Sequence, residues 1–244
     1  MSKHIARRRG IVALISSVLC GFSIYWPSSA TAAVGCNGSH CYAISQFGPL
    51  AAGYSMKGDF MNIAVNCLSV GSPADSFVTA ESWVLTSPSS SAYWVEAGLA
   101  HGYPKGDTRY LYWADSRPNG GGYVEHDAAN NSAALKTSYF ESIQQQATPT
   151  TWYAQIGSWN GTSTGNAASS NTLQAGTEYK GASSDNASVG VNMSGMGFYD
   201  ASGNPVSGWA YSRGAYVASI TPTGYPATVH LSTANNAIHA YSHC

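Results

Sequence analysis

Two glutamates stand where strand structure disfavours them. In Tyr93-Trp94-Val95-Glu96-Ala97-Gly98-Leu99, period-two alternation puts Trp94, Glu96 and Gly98 on one face, leaving Glu96 between a large aromatic and a residue with no side chain. In Leu173-Gln174-Ala175-Gly176-Thr177-Glu178-Tyr179, the shared face of Gln174, Gly176 and Glu178 repeats the arrangement with an amide in place of the aromatic. Glycine-lined faces suit an open cleft, so the two carboxyls can form a general acid and base if the sheet brings them together. The plain alternative places each on an outward, solvated strand face. Two carboxyls in one site do not readily both ionise, so one keeps its proton over an acidic range. The carboxylate would then activate a water for attack on a carbonyl, while the acid would bond the developing oxyanion and protonate the leaving group. Trp94, Gln174 and Tyr179 are the neighbours expected to meet substrate, although a regular strand turns Tyr179 to the opposite face. Such chemistry needs no metal or organic cofactor.

Other chemistries fit the sequence less well. The nearest approach to a serine nucleophile elbow, Gly53-Tyr54-Ser55-Met56, breaks the G-x-S-x-G pattern at Lys57. Glu125, His126 and Asp127 are consecutive, so on a strand they alternate between faces and cannot converge on one metal ion. A metal site at Cys36, His40 and Cys41 lacks a second Cys/His pair at ligand spacing. Trp83, Trp94, Trp113, Trp152 and Trp159 lie inside strand patterns, where core packing is the default.

The elements that must position these residues are strands. Short alternating runs bounded by Gly, Pro, Asn and Ser recur along the chain. Eleven strands are expected, among them Ser76 to Thr86, Ala92 to His101, Gly122 to Asp127, Thr137 to Gln145, Trp152 to Trp159, Thr172 to Tyr179 and Met196 to Asp200. No helix is expected. The segment Ala134 to Gln146 also fits helical spacing, but its Thr, Tyr, Phe and Ile suit a pleated surface. Turn chemistry marks Arg117 to Gly122, Asn160 to Thr164 and Asp200 to Pro205, and Ser163 to Asn171 is expected to be an exposed loop. The fold class is therefore all-β, an antiparallel β-sandwich of jelly-roll or concanavalin-like kind.

Composition narrows the setting. Among 244 residues, seven Trp, sixteen Tyr and six Phe supply a core, and only 9% are charged. Twelve acids face eleven bases, and four of the bases (Lys3, Arg7, Arg8, Arg9) fall within the first nine residues, so nucleic acid is not an expected partner. Those bases, the apolar run Ile11 to Phe22 and the A-x-A site at Ala30 and Ala32 have the layout of a secretory signal peptide over residues 1–32. The apolar run is too short for a membrane span. Residues 33–244 are then one secreted domain, expected to act as a monomer. They keep Cys36, Cys41, Cys67 and Cys244, which suits two disulfides. Three pairings are open; a tight Cys36 and Cys41 loop would leave Cys67 to join Cys244.

The order of short motifs carries a resemblance. Asn62-Ile63-Ala64-Val65, then S-W-V-L at Ser82 to Leu85, V-E-A-G-L with G-D-T-R-Y-L-Y-W-A-D between Val95 and Asp115, A-G-T-E-Y at Ala175 to Tyr179 and M-S-G-M-G-F-Y at Met193 to Tyr199 resemble the neprosin family over about Tyr54 to Tyr216. That family consists of secreted glutamic peptidases on an antiparallel β-sandwich. Glu96 matches the glutamate of its E-A-G motif and Glu178 that of its G-G-E motif. Thr177 stands where the second glycine is usual, and Pro118 to His126 holds none of the family's cysteines. The resemblance implies a glutamic endopeptidase acting on peptide or protein at acidic pH and cutting after proline. Two other functions use the same features: a non-catalytic module binding carbohydrate through Tyr and Trp, and a glycoside-cleaving enzyme using the same two glutamates.

Overall fold

In the computed structural model, residues 35–37, 40–50, 54–86, 93–117, 122–181, 187–209, 217–220, 227–232, 236–242 and 244 are described. The signal segment 1–32 lies outside them. Sixteen strands follow in chain order: β1 Gly35–Asn37, β2 His40–Phe47, β3 Gly58–Val70, β4 Phe77–Leu85, β5 Trp94–Gly102, β6 Arg109–Arg117, β7 Gly122–Ser132, β8 Ser138–Gln145, β9 Thr151–Ile156, β10 Trp159–Thr164, β11 Thr172–Lys180, β12 Ala187–Tyr199, β13 Pro205–Ser207, β14 Val217–Ile220, β15 Thr228–Leu231 and β16 Ala237–Ser242. No helix occurs among the described residues.

The strands form two antiparallel sheets. The front sheet runs β1-β2-β11-β4-β5-β6-β7, with β14 also on β2; the back sheet runs β10-β9-β8-β3-β12-β16-β15, with β13 on β12. The core lies between them. Alternation decides which side chains enter it: on β3, Met61, Ile63 and Val65 are buried while Phe60, Asn62 and Ala64 are half-buried. From the front sheet Ala80, Val84, Val95, Ala97, Leu99 and Leu111 join the same core. Each fully buried branched aliphatic side chain contributes about 1.5–3 kcal/mol against exposure. The middle strands of the front sheet are buried on both faces, β4 over Val78–Val84 almost without interruption. Their second face, turned away from the back sheet, is therefore buried as well.

The all-β antiparallel sandwich expected from the alternation is what the structure shows, and Ala134 to Gln146 contributes strand β8. Several local expectations are corrected. Trp152 to Trp159 is not one strand: Gly157, with φ +57°, and Ser158 form a hairpin turn, and Asn160 to Thr164, expected as a turn, belongs to β10 paired back on β9. Met196 to Asp200 is only the end of a long β12. Its first half is rich in Gly, Ser and Asn, and it is held as strand by pairing with β3 on one side and β16 on the other. The loop Ser163 to Asn171 is partly tucked in, because Asn166 is buried, accepting from the Thr86 hydroxyl and donating to Ser163 Oγ.

Cys67 at the end of β3 is joined to Cys244, with Cα atoms 6.4 Å apart. Gly190 on β12 makes room for the bridge, since a Cβ there would stand 2.8 Å from the Cys244 sulfur. Cys36 faces Cys41 in the register of β1 and β2, and Cys41 is disulfide-bonded.

Candidate active site

The covered second face of the front sheet carries the site. Register fixes its layout. On β4 the outward residues are Thr79, Glu81 and Trp83. Trp83 lies opposite Glu96 of β5, Glu81 opposite Gly98 of β5 and Gly176 of β11, and Glu178 of β11 is level with Thr79. Beyond β5 come Tyr110, Tyr112 and Ala114 of β6, then Tyr123, Glu125 and Asp127 of β7. On the other side, β2 sets Tyr42 opposite Glu178 and His40 opposite Lys180. Glu96 and Glu178 thus share one face, and both line an open cavity of about 620 Å³.

The cavity walls are aromatic. Ala100, Tyr110, Tyr112 and Ala114 form one apolar group on this face; Ile44 and Trp83, with Tyr42, Leu85 and Trp94, form another. The carboxyls lie between these groups, shielded from bulk water.

Glu96 is 4% exposed. Its Oε2 accepts from Trp94 Nε1 at 2.9 Å and its Oε1 from the Tyr123 hydroxyl at 3.1 Å. The same hydroxyl lies 3.3 Å from Glu125 Oε2. One phenol has one hydrogen to donate, so it serves both carboxyls only if one of them is protonated and donates to it. Burial, reinforced by the charge of Glu178, raises the Glu96 carboxyl to about 8 despite the bonds from Tyr123 and Trp94. Burial also raises Glu125.

Glu178 is in a different setting. Its Oε1 meets His40 Nδ1, and the Tyr42 hydroxyl bonds the same carboxyl. Its backbone N–H donates to Thr79 Oγ1 at 2.9 Å, and that hydroxyl donates to Glu81 Oε1. The two glutamates therefore differ in setting: burial pushes Glu96 toward its neutral form between Trp94 and Tyr123, and Glu178 lies beside the imidazole of His40.

The expected neighbours divide. Trp94 lines the cavity and bonds Glu96. Gln174 shares the face, but it is level with Trp83, four positions along the strand from Glu178, and its amide donates to Gln46 Oε1 at 2.7 Å. Tyr179 does not meet the site: alternation turns it inward, where it is 5% exposed within the core between the sheets. The expectation of a substrate contact there is corrected.

Other residues stand at the site that the sequence did not place there. Glu81 follows from the same alternation as Glu96, through Thr79, Glu81 and Trp83. Trp83, expected in the core, lines the cavity instead. Glu125 and Asp127 share the cavity face, whereas His126 turns away and stacks on Trp113 with ring centroids 3.8 Å apart. His40 and Tyr42 lie on a strand absent from the sequence reading.

No protein-family model matches the sequence, and no curated protein matches it. Solved structures do share the fold. Scytalido-glutamic peptidase with a peptide-based transition state analog aligns with a TM-score of 0.54 at 11% identity, over 82% of this chain and 98% of that one. The same peptidase with a transition state analog inhibitor gives 0.53 at 11% identity, over 82% and 97%. SCP-B, a member of the Eqolisin family of peptidases, in complex with the tripeptide Ala-Ile-His, gives 0.52 at 10% identity, over 82% and 98%. At these identities the likeness is one of fold: the chain is built on the antiparallel sandwich seen in these glutamic peptidases.

Proposed function

We propose that this protein is a glutamic endopeptidase, acting outside the cell after loss of residues 1–32, with Glu178 as general base and Glu96 as general acid. The observation that carries the reading is the contrast within one cavity: a carboxyl held beside His40, and a second, buried carboxyl on the same face, bonded by Trp94 and Tyr123, which burial pushes toward its neutral form. The shared fold and the motif resemblance support it.

Glu178 takes a proton from a water as the water oxygen bonds to the scissile carbonyl carbon. Glu96 donates a hydrogen bond to the oxyanion that forms, in a setting where exclusion of water strengthens the interaction. As the carbon–nitrogen bond breaks, Glu96 gives its proton to the leaving amine. The site then holds a protonated Glu178 and an ionised Glu96, and proton exchange with solvent restores the starting state. Trp94 and Tyr123 hold Glu96 in place throughout. The walls formed by Trp83, Trp94, Tyr110 and Tyr112 suit an apolar side chain next to the scissile bond, and a proline ring is of that kind.

The aromatic walls also suit a sugar ring, and two carboxyls serve glycoside cleavage. One experiment separates these readings. A proteome-derived peptide library is digested from pH 3 to pH 9 and the products are read by mass spectrometry, beside an oligosaccharide panel. New peptide termini at acidic pH, lost as pH rises through about 8 where Glu96 gives up its proton, support the peptidase. Intact peptides with cleaved oligosaccharide would transfer the two glutamates to sugar chemistry, and intact peptides with bound sugar would leave a binding module.

A further inference from the structure

The mechanism leaves Glu81 unused. Its side chain is 0% exposed, and β4 holds it between the strands that carry Glu96 and Glu178. Neighbouring strands lie about 4.8 Å apart, so β4 keeps those two backbones roughly 10 Å apart across the sheet. Glu81 is midway along the diagonal between them, two positions along β4 from the level of each. Glycine flanks it on both sides, Gly98 on β5 and Gly176 on β11. Neither position has room to spare: a Cβ at Gly98 would stand 2.4 Å from the Ala80 carbonyl oxygen and 2.5 Å from Glu81 Cβ, and one at Gly176 would stand 2.2 Å from the Ala43 carbonyl oxygen.

Oε1 of Glu81 accepts from Thr79, the hydroxyl that also receives the Glu178 backbone N–H, while Oε2 has no hydrogen-bond partner. The titratable groups whose charge acts on Glu81, or on which its charge acts, are Glu178 from β11, Tyr42 from β2, Glu96 from β5, Tyr110 from β6, and Tyr123 and Glu125 from β7. All are acids or phenols. Of the basic side chains on this face, His40 bonds Glu178 and Lys105 pairs with Asp127 at 2.8 Å, while Lys180 lies opposite His40. A carboxylate buried without a cation of its own is strongly disfavoured, and burial with the charges of Glu96 and Glu178 holds Glu81 well above the ordinary carboxylate range.

We propose that Glu81 is the positioning residue of this site, a third and neutral carboxyl beneath the cavity that spaces Glu96 from Glu178 and stops turnover when it ionises. The inference rests on the peptidase reading and deepens it. Protonated, Glu81 fills the gap between the working carboxyls without adding charge, and through Thr79 it is tied to the backbone of Glu178. Ionised, it adds a negative charge between the two carboxyls that flank the reacting carbonyl in the proposed mechanism, which opposes formation of an oxyanion there. Two protons must then stay in place for activity, one on Glu96 and one on Glu81.

The test is Glu81→Gln, which keeps the shape and the neutral charge and removes the second ionisation. On a cleaved peptide, log kcat/KM of the wild type should steepen on its alkaline side toward a slope of about −2, whereas Glu81→Gln should fall with a slope of about −1 and stay within about threefold of wild type at acidic pH. Equal slopes would reduce Glu81 to a spacer and overturn the proposal, as would a hundredfold loss at acidic pH in a folded variant, which would make Glu81 itself an acid or base. Thr79→Val offers a second route, because it removes a bond that favours ionised Glu81; the alkaline limb should move to higher pH, and an unmoved limb counts against the proposal. An arm independent of turnover follows the carboxyl carbon of Glu96 by NMR in glutamate-labelled protein. Its titration is also shaped by the charges of Glu178 and Glu125, and it should lose one step in Glu81→Gln relative to the wild type; identical curves overturn the coupling. If the wild type cleaves no peptide, the peptidase reading fails, and the NMR arm alone decides whether the carboxyls act as a unit.

Discussion

Strand β4 has buried acids on both faces. Outward lie Glu81 and its neighbours Glu96 and Glu178; inward, Ser82 faces Asp59 of β3 and Glu141 of β8 in the core. Asp59 and Glu141 are both 0% exposed. None of their four carboxyl oxygens, nor Ser82 Oγ, has a partner in good hydrogen-bond geometry. Burial raises Asp59 to about 8 and Glu141 well above its ordinary range, as it raises Glu81 and Glu96. Burial and a raised pKa are thus common to both groups. What distinguishes Glu96 and Glu178 is that they line a cavity and are bonded by Trp94, Tyr123, Tyr42 and His40. A perturbed carboxyl is a candidate for function when polar partners also address it and it opens on a cavity; sealed in the core, the same perturbation is a cost to the fold.

The sharpest way to break this contrast is to neutralise one acid of each group. Glu178→Gln and Glu96→Gln should each lower kcat/KM by about two to four orders of magnitude with the circular dichroism spectrum unchanged, since the amide neither takes nor delivers a proton. Asp59→Asn, assayed at pH 4, should cleave peptide at about the wild-type rate. A comparable loss from the core variant would erase the distinction between the two faces.

Stability should divide them in the opposite sense. Asp59 has a folded pKa of about 8 against an ordinary 3.8. Such a group favours the native state fully below the unfolded pKa, and that contribution is lost as pH rises through the folded value. At about 1.4 kcal/mol per unit, the wild type should lose roughly several kcal/mol between pH 4 and pH 8 from the core pair. In urea melts Asp59→Asn should flatten that decline, and the double variant with Glu141→Gln should flatten it further. A wild-type stability that is level or rises with pH would show the core acids to be better satisfied than their geometry indicates.

A smaller effect is expected from the spacing between strands. Gly98→Ala forces a methyl against the Ala80 carbonyl and Glu81, at a cost of about 1–3 kcal/mol measured by thermal melts. Full stability in this variant would mean that β4 and β5 part easily and that Glu81 is not confined. Smallest of all, Trp94→Phe keeps the wall and removes the donor to Glu96. A several-fold fall in kcat, corresponding to about 1 kcal/mol, is expected, with KM little changed.

Much of this was legible in the chain. Alternation gave the strands, and a carboxylate flanked by glycine on its own strand pointed to Glu96 and Glu178. Glu81 escaped because the glycines that make room for it, Gly98 and Gly176, stand on the neighbouring strands, and only register brings them beside it. His40 and Tyr42 were hidden for another reason: β2 is buried on both faces from Ala43 to Phe47, so its polar and apolar residues do not alternate cleanly. The core acids illustrate the limit of pattern reading. Asp59 follows the inward register of Met61 and Ile63, but nothing in residue type announces a carboxyl in a core.

The position of β11 has one further consequence. It lies between β2 and β4, so Glu178 reaches Thr79 across 99 residues of sequence and His40 across 138. Contacts of such range close late, after shorter hairpins such as β4, β5 and β6 have formed. A partly folded chain can therefore display Glu96 with its Trp94 wall while still lacking Glu178. Under the proposed peptidase function this order of assembly would be a safeguard: cleavage would begin only when the last central strand has entered the sheet, so a chain still emerging or refolding would be no threat to its own kind.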